Sequence, residues 1–479
     1  MYFYGSKIST YKAILSSTKY FIKYHILKHI STFRIHSLKI IFALIILSVS
    51  CTQDSTSEEV QMDVVLKRLI SDVAPNGDYE YYIVPTEEEL DDIPQDLRNP
   101  LTPEKVELGK MLFFETGLAM NALYNSGIGT YSCSTCHIPS AGFRPGAPQG
   151  VADGGVGFGL HGEDRIRNTE YTEDEMDVQS ARPLSLINVA FVTNTSWNGQ
   201  FGSDGANAGT EDLWNQSEAI ERNALGYKAL ETQNFDGLEV HRIETTKALL
   251  DQYGYTEMYD EVFPDLNEEL RYSNFATSFA LSAYLRSVTT SQAPFQYWLK
   301  GQSDAMTMQE KLGAEVFFGK ARCTNCHYEQ NLGSTEFHRL GVKDLYQRPS
   351  FSTDITDRRN LGRGGFTLLE EDFYKFKVPQ LYNMSDDPFY FHGSSKNTLE
   401  EVIDYKIIAE SENPNIPTAT LSEKFGPLTL SEEERTNLIL FLENSLRDPN
   451  LSRYQPDFVL SGNCFPNNDP ISRFDLGCE

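Results

Sequence analysis

The chain has 479 residues and a formal net charge of −27, with 41 Lys and Arg against 68 Asp and Glu. So acidic a chain excludes nucleic acid as a partner; its charge serves solubility or the electrostatic capture of a protein with a cationic face. At about 150 residues per domain the length allows roughly three domains, or two with insertions.

Residues 1–50 hold seven Lys or Arg and no Asp or Glu, and they run into "KIIFALIILSVSC". A cation, an apolar run from Ile40 to Val49 too short to span a bilayer, and small residues before Cys51 predict a signal peptide. Cys51 followed by "TQDSTSEE" resembles a lipoprotein processing site. The expected location is therefore the periplasm or cell envelope, with membrane contact through a lipid anchor only and residues 51–100 forming a tether and N-terminal segment. The stretch ahead of Lys39 is longer than a normal leader, which a start codon assigned too far upstream would explain.

The next element is "TPEKVELGKMLFFET", a predicted helix capped by Thr102 with Glu104 in its first turn and Val106, Leu108, Met111, Leu112 and Phe113 on one face. It leads to "YSCSTCHIPS", in which Cys133, Cys136 and His137 form Cys-x-x-Cys-His. Residues 146–160, "GAPQGVADGGVGFGL", are too glycine-rich for a regular helix. Following the first motif and ending at His161, they suggest a mobile flap; a solvent-exposed loop would look the same. "NFATSFALSAYLRSV" is helical and leads to a junction near "TTSQAPFQYWLKGQ". Then "TMQEKLGAEVFFGKARCTNCH" repeats the first design, with Thr307 as cap, Leu-Gly, a Phe-Phe pair, and Cys323, Cys326 and His327. One unit has been duplicated. "SEEERTNLILFLENSLRD", capped by Ser431, closes the second copy. Cys464 and Cys478 remain as a pair in a Pro- and Asn-rich tail, where an oxidising compartment would join them.

Two thiols three residues apart on one turn can reach the two vinyl groups of one porphyrin, and the next residue can turn its imidazole to the iron. Zinc explains the pattern less well, because paired zinc motifs lie about 15 to 20 residues apart and do not require His after both cysteine pairs. Two covalently bound c-type haems are the expected cofactors. The fold class follows: all-α, two cytochrome c-like haem domains packed together with long loops. The expected boundaries are 101–294 for the first domain, 295–450 for the second and 451–479 for a disulfide-closed tail.

Both motifs, together with "ARPLSLINVAF", "SWNGQFG", "DLWNQSEA" and "FKVPQLYN…FYFHGSSKNTLEEVIDY", resemble the bacterial di-haem cytochrome c peroxidase family over residues 100–447. That family also contains enzymes that oxidise tryptophan residues in partner proteins. The resemblance implies reduction of hydrogen peroxide at the first haem, with electrons entering at the second from a small c-type cytochrome or similar carrier. It makes His161 the removable distal ligand, Trp197 the aromatic relay between haems and Gln216 the pocket glutamine. Gly226 falls where the family places an acid-base glutamate, so slow turnover and its recovery in Gly226→Glu are expected, with Glu218, Glu221 and Glu231 as substitutes. At the second haem the family's Met or Tyr ligand falls on Lys406, with Tyr405 beside it; Tyr405 is taken as the ligand and Met384 as an alternative. An interdomain calcium ion, with Asn168 as a ligand, is also implied. Two further functions are compatible with these residues: oxidation of a partner protein's Trp or Tyr, and non-enzymatic electron transfer by a di-haem lipoprotein.

Overall fold

The structure is a computed structural model that describes residues 55–478. Residues 1–54, with the expected leader and Cys51, lie outside the described residues. The chain divides after Val64, and Val65–Glu479 is one unit containing everything discussed below. No described helix is long and apolar enough to cross a membrane.

The unit is helical, with four two-residue strands: Gly155–Val156 paired antiparallel with Ile166–Arg167, and Phe337–His338 paired antiparallel with Phe376–Lys377. The duplicated helices span Pro103–Phe114 and Met308–Phe318. Thr102 accepts from the Lys105 amide at 3.2 Å, and Thr307 and Glu310 form a reciprocal capping box. Each packs chiefly on one neighbour: Pro103–Phe114 on Asn274–Ser287, and Met308–Phe318 on Glu432–Leu440. The last helix is capped by Ser431 as the sequence predicts, but from Phe441 to Ser445 it widens into a π-turn.

The repeated Leu-Gly now has a cause. A Cβ on Gly109 would overlap the Ala280 carbonyl oxygen, and one on Gly313 would overlap the Asn437 carbonyl oxygen. Both helix pairs cross so closely that only glycine fits, which brings the Phe-Phe pairs into aromatic clusters. Phe113 and Phe114 meet Tyr284 at 5.2 and 6.4 Å, and Phe317 and Phe318 meet Phe441 at 5.6 and 6.3 Å.

The tail is built into the molecule. A Cys464–Cys478 disulfide closes it, and Phe465 packs on Phe114 at 5.7 Å. The carbonyl of Pro466 accepts from Ser132 Oγ and Thr135 Oγ1, both at 3.1 Å, so the tail grips the turn that carries the first cysteine pair. Asp469 accepts from the Gly157 amide at 3.1 Å, and Asp475 from the Phe158 and Gly159 amides at 2.9 and 3.1 Å. The glycine-rich segment is therefore not a free loop. It is a clamped hairpin whose Gly154, Gly157, Gly159 and Gly162 adopt φ between +78° and +88°.

Candidate haem-binding site

Cys133–Thr135 and Cys323–Asn325 are single 3-10 turns, and in each the amide after the turn returns to the first cysteine. The His137 amide bonds the Cys133 carbonyl at 3.2 Å and the His327 amide bonds the Cys323 carbonyl at 2.9 Å. Each imidazole is then fixed by a backbone carbonyl: His137 Nδ1 donates to Phe143 O at 3.0 Å and His327 Nδ1 to Leu332 O at 2.8 Å. This tautomer turns Nε2 toward a metal. Burial lowers both histidines to about 4, so each is a neutral donor. All four cysteines are free thiols; burial pushes Cys133, Cys136 and Cys323 up to about 12, and raises Cys326 as well. Half-buried, protonated thiols beside a neutral imidazole fit thioether attachment of a porphyrin at each turn.

The second turn opens into a largely apolar cleft lined by Cys326, His327, Trp197, Met384, His392 and Lys406. Trp197 stands on its wall, donating Nε1–H to the Arg182 carbonyl at 2.6 Å, with His392 at 6.0 Å and Phe376 at 6.4 Å from its ring. Arg182 and Arg144 both pair with Asp387, which is 3% exposed. Arg182 also donates to the Pro145 carbonyl at 2.6 Å, and its amide bonds the His392 carbonyl at 2.7 Å. This buried network ties the segment after the first motif to the wall of the second cavity. Sequence reasoning missed it, since 205 residues separate Arg182 from Asp387.

The other expected residues stand as follows. His161 is exposed, with Nδ1 on Ser140 Oγ at 2.8 Å, three residues beyond His137. Gln216 donates to the Phe366 carbonyl at 2.9 Å and accepts from Arg358 at 2.7 Å. Gly226 is exposed at φ +74°, where it ends the Arg222–Leu225 turn and gives its carbonyl to Arg98. It is a capping glycine, and a side chain there would leave from strained backbone. Of the three acids, Glu218 and Glu221 are exposed, and Glu231 is buried against Arg286 at 2.7 Å and Asn99 at 3.1 Å. Asn168 Oδ1 accepts from the Glu170 amide at 3.1 Å, and its Nδ2 donates to Ser126 Oγ at 3.0 Å.

Tyr405 requires a correction. Its hydroxyl donates to the Leu340 carbonyl at 2.5 Å and its ring packs on Phe391 and Phe425, behind the cavity wall. One step along the helix Leu399–Ile408 turns the chain by about 100°, so Lys406 lines the cavity in its place. Sequence reasoning also passed over a pair near the first turn, the half-buried His241 with the buried Asp177 at 2.7 Å. Burial opposes the imidazolium, but Asp177 outweighs it and raises His241 above its ordinary value.

A family model for di-haem cytochrome c peroxidase matches residues 103–304. The chain is 28% identical over 361 residues to the methylamine utilization protein MauG of Methylorubrum extorquens, covering 74% of this chain and 82% of that one. It is 24% identical to the cytochrome c551 peroxidase of Pseudomonas aeruginosa, over 64% of this chain and 72% of that one. Among solved structures, a MauG-like protein associated with microbial copper homeostasis superposes with a TM-score of 0.54 at 23% identity, covering 78% of this chain and 97% of that chain.

Proposed function

We propose that the chain is a member of the di-haem cytochrome c peroxidase family, whose model matches residues 103–304, and that it reduces hydrogen peroxide to two waters, taking two electrons and two protons, the electrons from a reduced c-type cytochrome or comparable small carrier. The observation that carries this is the duplicated turn in which a carbonyl-locked histidine follows two free thiols. Bound haem would supply the redox-active iron at each turn. Cys133, Cys136, Cys323 and Cys326 would each add their S–H across a vinyl group, leaving thioethers, and His137 and His327 would hold the metals through Nε2.

The first turn is the peroxide side in this reading. His161 and its clamped hairpin lie against Ser140 beside that turn, which supports a distal residue that must be displaced before peroxide enters. Trp197 serves as the relay, oriented by Arg182 on the wall of the second cavity. The Cys464–Cys478 disulfide supports maturation outside the cytoplasm, as haem attachment by thioether requires.

The test uses the full chain matured in a host that attaches c-type haem. Denatured protein should retain two haems by mass, and reduced cytochrome should be oxidised by peroxide at a rate that falls with added salt, given the acidic surface. One haem or none defeats the di-haem reading. Two haems without turnover with any reduced cytochrome, but with peroxide-dependent oxidation of a partner's Trp or Tyr, would favour protein oxidation instead.

A further inference from the structure

The second cavity contains an amine that the fold leaves unanswered. Lys406 follows Val402 by four residues on one helix, so the two share a face, and both line the cleft that receives Cys326 and His327. Its Nζ stands over the rings of Phe425 at 4.9 Å and Phe391 at 5.8 Å, and it has no ion pair or hydrogen bond to a described residue. As an ammonium it has only the faces of two phenyl rings to answer its charge, whereas as a neutral amine it carries a lone pair that a metal can take. Its charge is felt at Cys323, Cys326 and His327, so it lies beside the attachment turn.

The other donors in the lining are mostly committed. His338 is bonded through both ring nitrogens, to Ser422 at 2.9 Å and Glu336 at 2.7 Å. His392 gives Nε2 to Asp344 at 2.9 Å and stacks on Phe376 at 3.5 Å. The Tyr390 hydroxyl donates to the Met384 carbonyl at 2.8 Å. Lys377 also lines the cleft, but the charge it feels is that of Arg363 and not that of the motif.

We propose that Lys406 Nζ, as a neutral amine, would join His327 as a ligand of the second haem iron. The proposal rests on the di-haem reading above. Ligation releases one proton from the ammonium to solvent and places the nitrogen lone pair on the iron, with no change in oxidation state. A nitrogen donor favours ferric iron more than the methionine thioether does, so the second haem would sit at a lower potential than a His–Met centre.

The experiment takes holoprotein with two haems verified by denatured mass, and records low-temperature spin resonance and near-infrared magnetic circular dichroism of the ferric state. A low-spin histidine–amine signal is expected. Lys406→Ala should abolish it, and Lys406→Arg should do the same, because arginine keeps the charge but cannot be deprotonated to ligate. Lys406→Met should convert it to a His–Met signature with a raised midpoint potential. The proposal is overturned if the signal survives in Lys406→Ala, or if Tyr405→Phe, Met384→Leu or Lys377→Met removes it while Lys406→Ala does not. Fewer than two covalent haems in the unsubstituted protein would overturn the di-haem reading itself; two haems with an unaltered signal in Lys406→Ala overturns the ligand assignment alone.

Discussion

An exposed glycine at φ +74° whose carbonyl is held by Arg98 does not behave as a vacated catalytic position. Gly226→Glu should cost about 1 to 3 kcal/mol from left-handed backbone strain, read as a lowered melting temperature, and leave peroxide turnover at the level of the unsubstituted protein. A rise of tenfold or more would return position 226 to the reacting pocket. A second residue-scale expectation concerns His241. Asp177 holds it above its ordinary value of 6.5, so the pair stabilises the fold below that pH and the contribution is lost as pH rises through the raised folded value. Asp177→Asn should remove this component, flattening the fall of melting temperature between mildly acidic and mildly alkaline pH; an unchanged profile would count against it. The two Cys-x-x-Cys-His turns were legible because the motif is written in five consecutive letters. Arg144, Asp387 and the Asp177–His241 pair were not, because each joins residues far apart in sequence, and Tyr405 was chosen over Lys406 because a one-residue shift on a helix moves a side chain from cavity to wall.

Elements repeat more faithfully than their sequences. The helices Pro103–Phe114 and Met308–Phe318 share few letters, yet each sets a glycine against a neighbouring helix's carbonyl and then a Phe-Phe pair against an aromatic four residues farther along that neighbour. Gly109→Ala and Gly313→Ala should each force the crossing apart at about 1 to 3 kcal/mol, as overpacking generally does, whereas Gly426→Ala, with nothing within 4 Å, should change stability by less than about 0.5 kcal/mol. Equal melting temperatures for all three would refute the close-crossing account. The caps at Thr102, Thr307 and Ser431 could be read directly, since capping is a local exchange of hydrogen bonds. The π-turn after Leu440 could not, because the packing of Phe441 on Phe295, Phe317 and Phe318 is tertiary.

At the scale of the whole molecule, the tail holds both the first attachment turn and the hairpin that carries His161. Asp475→Ala, which frees the Phe158 and Gly159 amides, should speed hydrogen exchange through residues 154–168 while leaving 308–318 unchanged, and Cys464→Ser should extend the effect to residues 130–137. Protection unchanged in both variants would show that the hairpin holds itself. The contacts also impose an order on biogenesis. More than 300 residues separate the first turn and its hairpin from the segment that fastens them. In the export proposed above, the first cysteine pair would emerge unfastened and stay accessible until the chain beyond Cys464 follows. The second turn sits against local partners such as Leu332 and can settle earlier. The turn that emerges first would thus be the one fastened last, leaving the proposed haem attachment an open interval that the tail closes.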